Sequence, residues 1–128
     1  MNRSYSSDLR THFYRLMNDE NYRNCFYRQM APYRHLSEND LMTTIGSFSS
    51  KVPEAVKRRH LNHLAALTRE KACQTKKARK RIDRINYTIL NDPPYSFPYP
   101  YSYYDYQYRP FGGFLSALIL LGLLGAIL

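Results

Sequence analysis

From Phe111 to Leu128 the chain carries no charged residue, and the segment is built almost wholly from Phe, Leu, Ile and Gly. Water opposes exposing such a run, so it must lie in lipid, in a partner, or against the chain's own core. As a helix rising about 1.5 Å per residue it covers roughly 27 Å, close to the ~30 Å hydrocarbon core of a bilayer. Its eleven large apolar residues favour insertion by roughly 3 to 7 kcal/mol, at about 0.3 to 0.6 kcal/mol each. Four glycines work against that gain.

The flanks fit a membrane boundary. Tyr103, Tyr104, Tyr106 and Tyr108 stand where an interfacial aromatic belt would stand, Arg109 is the last charge, and Pro110 breaks the chain at the start of the run. Gly112 and Ser116, Gly113 and Ala117, and Gly122 and Ala126 are small pairs four apart, a spacing that lets helices approach closely. The expectation is a C-terminal anchor over residues 111–128, a transmembrane helix contacting lipid through Phe111, Phe114, Leu115, Leu118, Leu121 and Leu124. Met1 to Asp8 is polar and no apolar secretory core follows it, so the basic body is expected on the cytoplasmic side. The competing expectation is a core helix, or an assembly contact through which the chain associates with itself.

At 128 residues the sequence has room for one compact domain plus appendages. Its net charge of +9 is concentrated. Between Lys51 and Arg84 twelve Lys and Arg face only Glu54, Glu70 and Asp83, which already accounts for +9. Such localisation points to a binding feature more than to general solubility. Its sharpest part is the run Lys76, Lys77, Arg79, Lys80, Arg81, Arg84, which attracts polyanions: anionic lipid headgroups or nucleic-acid phosphates, through residues 57–84. The bland alternative is a solvated helix face.

Residues 7–34 read as helical, with Ser7 as cap. Leu9, Phe13 and Leu16/Met17 form one apolar stripe, which fails at Glu20 and gives way to Tyr22, Cys25, Phe26 and Met30. This predicts either two helices parted near Asn18–Asn21 or one helix whose buried face changes, closed by Ala31-Pro32. Ser37 opens a short helix whose core face is Leu41, Ile45 and Phe48. Pro53 starts the next, with Val56, His60, Leu64 and Leu67 as its stripe. That helix is expected to run to about residue 86, its basic second half projecting from the core as a charged rod.

From Asn91 to Pro110 the composition changes to five of the seven prolines and seven of the thirteen tyrosines. Proline at this density prevents helix and predicts an irregular linker, or at most a short edge strand. The fold expected is therefore all-α: a basic domain of about three to four helices over 1–90, a Tyr/Pro-rich linker over 91–110, and an apolar helix over 111–128. The composition of residues 91–128 resembles that of envelope and coat proteins of several kinds, but no site residue carries over from it.

Catalytic signatures are absent. Cys25 with His12 or His35 lacks an orienting third group and an oxyanion donor. His60 and His63 lack further ligands at metal spacing, and His60 reads as a core histidine. Gly112-Gly113 is not followed by Lys-Ser/Thr, as a phosphate loop would be. Cys25 and Cys73 read as reduced thiols. No cofactor, metal or enzymatic activity is expected. Three functions fit: a membrane-anchored protein whose basic helix holds anionic lipid or tethers a polyanion; a subunit of a coat, capsid or virion assembly with tail and tyrosines between copies; or a soluble nucleic-acid-binding protein.

Overall fold

A computed structural model describes residues 9–91 and 110–128. Among them it is all-helical, with no strand and seven α-helices, more than the three to four expected. They are α1 (Leu9–Asn18), α2 (Glu20–Gln29), α3 (Ala31–Arg34), α4 (Glu38–Ser49), α5 (Glu54–Leu67), α6 (Lys76–Leu90) and α7 (Phe114–Ile127). The expected cap at Ser7 and the tyrosine belt and linker over 92–109 lie outside the described residues.

Local chemistry sets the boundaries. Asp19 accepts a hydrogen bond from the Tyr22 amide at 3.0 Å and caps α2, so the change of stripe marks two helices. Pro32 does not close that region: it sits in the first turn of the four-residue α3, where its missing N–H costs nothing. Ser37 Oγ accepts from the Asp40 amide at 3.1 Å and starts α4.

The expected long helix over 53–86 is broken. α5 ends at Leu67, a 3-10 turn spans Lys71–Cys73, and Thr75 Oγ1 accepts from the Ala78 amide at 3.1 Å to begin α6. Nor does the second half project as a rod. Ala78, Ile82, Ile85 and Ile89 recur on one face of α6, and all are buried.

The largest correction concerns the apolar tail. No helix among the described residues is long and apolar enough to cross a membrane. α7 has 14 residues, about 21 Å of helix against the ~30 Å of a hydrocarbon core. The transmembrane-helix and C-terminal-anchor expectations therefore fail. The segment lies at the centre of the fold, where Leu118, Ile119, Leu120 and Leu123 are wholly buried. A helix apolar all round needs this environment, since no face is suited to water.

Magnitudes favour the core. Burying Phe114, Leu115, Leu118, Ile119, Leu120, Leu123 and Leu124 contributes roughly 10 to 20 kcal/mol as an upper figure, at about 1.5 to 3 kcal/mol per side chain. Insertion is worth less and would leave the apolar faces of α4 and α6 uncovered.

α7 packs against both of those helices. Phe48 meets Phe114 edge-on, with ring centroids 5.0 Å apart, while Leu41 lies beside Gly122, so α4 and α7 run antiparallel. A Cβ on Gly122 would sit 3.3 Å from Ile85 Cδ1 and 3.5 Å from Leu41 Cδ2. The small residue that suggested contact between membrane helices thus lets α4 and α6 close on α7 within one chain. Arg84 of α6 meets Asn39 at the start of α4, and Thr88 shares a groove with Thr43, so α4 and α6 run parallel. The N-termini of α4 and α6 and the C-terminal end of α7 consequently share one pole.

The turn into α7 is strained. Phe111 adopts φ 59°, ψ 29°, a left-handed conformation, which costs an L-residue roughly 1 to 2 kcal/mol. Its ring stands edge-on to Phe26 at 4.9 Å and to Tyr22 at 5.4 Å. Burial plus two aromatic contacts outweighs that strain.

Candidate polyanion-binding surface

α6 sorts its cations by position. Ala78, Ile82 and Ile85 bind the helix to the core, so residues between them point outward. Lys76, Lys77, Arg79 and Lys80 are exposed, and none makes an ion pair among the described residues. Arg81 and Arg84 do other work. Arg81 Nη1 donates to the Gly122 carbonyl at 2.6 Å, and Nη2 meets Glu38 Oε1 at 3.2 Å. Arg84 reaches Glu38 Oε2 and Asn39 Oδ1, both at 2.6 Å. The hydrogen bond from Arg84, with help from Arg81, holds the Glu38 carboxyl below its ordinary range. The six-residue basic run therefore divides into four outward cations and two that clasp α6 to α4 and α7.

The outward cations oppose their own helix. Lys76 and Lys77 occupy the first turn of α6, where there is no acidic residue. The N-terminal end of a helix carries positive partial charge, so a cation there costs about 0.3 to 1 kcal/mol and a bound anion would relieve it. A local rule broken without compensation among the described residues is characteristic of a binding site.

Further cations lie outside that run. Lys51, Arg58, Arg59, Arg69 and Lys71 are exposed and likewise make no ion pair among the described residues. The charge excess over 51–84 already included them, but no periodicity separated them from Lys57, whose side chain is tucked in and meets Glu54 at 3.0 Å.

The six tail residues expected to contact lipid or a second copy are spent internally. Phe111, Phe114, Leu115, Leu118, Leu121 and Leu124 are all buried within the chain, none more than 7% exposed.

Three of the four histidines lie in structural contacts. His63 Nδ1 accepts from the Leu9 amide at 3.2 Å and fixes the start of α1 against α5. His12 Nδ1 faces the Tyr22 hydroxyl at 3.1 Å. His60 is buried, its Nδ1 has no hydrogen-bond partner among the described residues, and burial chiefly pushes its pKa down to about 4. No group of three potential metal ligands occurs among the described residues. Burial and the neighbouring Glu70 push the Cys73 thiol up to about 11, which makes it a poor nucleophile.

Among the described residues the chain is thus all-helical, with its apolar segment buried against α4 and α6 and with the outward cations of α6 making no ion pair. Comparison with protein-family models, curated proteins and solved structures gives no match.

Proposed function

We propose that this is a non-enzymatic protein that binds the phosphate backbone of nucleic acid through the outward cations of α5, α6 and the turn between them. The observation that carries the reading is the group Lys76, Lys77, Arg79 and Lys80, exposed and without acidic partners among the described residues, with Lys76 and Lys77 at the positive end of their own helix. Phosphate contacts of this kind position a protein on a duplex without reading its sequence. A neighbouring membrane anchor would favour anionic lipid over nucleic acid as the polyanion, but the apolar tail is a core helix.

The test is fluorescence anisotropy of a labelled DNA duplex over a salt series, with wild type and a variant carrying Gln at Lys76, Lys77, Arg79 and Lys80. Each lost phosphate contact reduces the slope of log K against log salt by about 0.9, so the variant should lose roughly three to four in slope. Equal slopes would remove these residues from the interface. Binding to anionic vesicles with none to duplex DNA or RNA would overturn the nucleic-acid reading.

A further inference from the structure

The outward face of α6 changes character along its length. Lys76, Lys80, Asp83 and Tyr87 recur at steps of three and four residues, so they share one side of the helix, opposite the buried Ala78, Ile82, Ile85 and Ile89. Asp83 is exposed and makes no ion pair among the described residues, so it repels a phosphate that would follow the face beyond Lys80. Past it stands Tyr87, 67% exposed, whose hydroxyl has no hydrogen-bond partner among the described residues. Tyr87 lies about 10 Å along the helix from Lys80.

Tyr87 also lines a groove of about 360 Å³ between α4 and α6. The one charged residue in its wall, Arg84, is engaged by Glu38 and Asn39. The other polar groups are uncharged and only partly committed. The Asn39 amide gives its oxygen to Arg84 and keeps its N–H donors, while Asn91 donates to the Tyr87 carbonyl at 2.9 Å and keeps its side-chain oxygen. Thr43 and Thr88 donate to carbonyls of their own helices and retain lone pairs. Asn39 and Asn91 are exposed and the two threonines half-buried, so a ligand can reach them.

We propose that the nucleic acid held by α6 is single-stranded, with an unpaired base stacked on Tyr87 and the edge of that base in the groove. The inference rests on the phosphate reading of the outward cations and names the form of nucleic acid they hold. A base is an uncharged aromatic plate whose edge carries donors and acceptors together, which matches an exposed ring beside free amide donors and oxygen acceptors. Asp83 sets the order of contacts: phosphates on the lysine side, a neutral base beyond. In a duplex each base is covered by its neighbours, so only an unpaired one offers Tyr87 a face.

The test is fluorescence anisotropy of the full chain with labelled DNAs of equal length: a single strand, a strand of abasic units, and a duplex. Wild type should bind the single strand at least fivefold more tightly than the abasic strand, which keeps the phosphates and lacks the bases. Tyr87→Ala should lower the single strand to the abasic level and leave abasic strand and duplex unchanged, with circular dichroism still helical. Tyr87→Phe, which keeps the ring, should bind the single strand as wild type does. A fluorescent purine analogue in the strand should be quenched by wild type and not by Tyr87→Ala. Equal binding of normal and abasic strands, or a single strand indifferent to Tyr87→Ala, would overturn the stacked base and leave the phosphate contacts standing. Equal losses on all DNAs in Tyr87→Ala would also overturn it, as a general effect on the fold. If the four-glutamine variant of α6 binds every DNA as wild type does, the phosphate reading fails and the stacked base falls with it.

Discussion

Acidifying the protein from pH 7 to pH 5 should destabilise it in part through His60. His60 is only 3% exposed, and its Nδ1 has no hydrogen-bond partner among the described residues. A charged imidazole there would lose its hydration and stand near His63 and Arg59, so its pKa falls from 6.5 to about 4. The unfolded chain takes up the proton near 6.5, and the folded chain only near 4. Between those values the unfolded state binds more protons, so stability falls as acid is added, while above pH 7 the group contributes nothing. At pH 5 the loss is roughly 2 kcal/mol, rising to about 3.4 kcal/mol below pH 4. Against a typical net stability of about 5 to 15 kcal/mol this is a large fraction.

Urea unfolding followed by circular dichroism at pH 7, 6 and 5 measures that loss. The control is His60→Leu, which removes the titration and an unpartnered polar atom. At pH 7 it should change stability by less than about 1.5 kcal/mol, since an apolar side chain of similar size replaces a neutral ring. Its curve should then fall less steeply than that of wild type between pH 7 and pH 5. If wild type and His60→Leu lose stability equally over that range, the protons enter elsewhere and the desolvation argument is wrong.

Substitutions at two further positions test the packing and the capping. Leu118→Ala, at a fully buried position of α7, should cost about 2.7 to 5 kcal/mol in urea unfolding without any lipid; a change under 0.5 kcal/mol would mean that α7 is not core. Thr75→Ala removes the cap that parts α5 from α6 and should cost about 1 kcal/mol. Thr75→Asp should restore that loss, as a charged cap also complements the helix dipole, and failure to restore it would count against the capped break.

Much of the fold is legible in single stripes. Leu9, Phe13 and Leu16 face inward in α1, Leu41, Ile45 and Phe48 in α4, and His60, Leu64 and Leu67 in α5, as their spacing suggests. The Ser37 cap is likewise visible, because capping is a local contact between neighbours in sequence. α6 was harder. Its inward face begins with Ala78, too small to register as a stripe, and Arg81 sits beside that face with its head on a carbonyl 41 residues away. A long-range bond of that kind leaves no periodic trace.

The fate of the tail was least legible. Apolarity on every face fits lipid and protein interior equally, and only the faces of α4 and α6 that need covering decide between them. Of the candidate site, the concentration of charge was readable, but its partition was not. Whether a cation in the basic run faces water or clasps Glu38 depends on where α4 lies.

The location of α7 also bears on how copies of this protein keep apart. Its sequence neighbours at the centre of the fold are distant, and more than twenty residues join it to α6. A helix docked between α4 and α6 of one molecule finds an identical berth in any other molecule that has not yet filled its own. At high concentration, or during refolding, the same contacts that complete a monomer can therefore link two chains by exchange of this helix, with no new interface required.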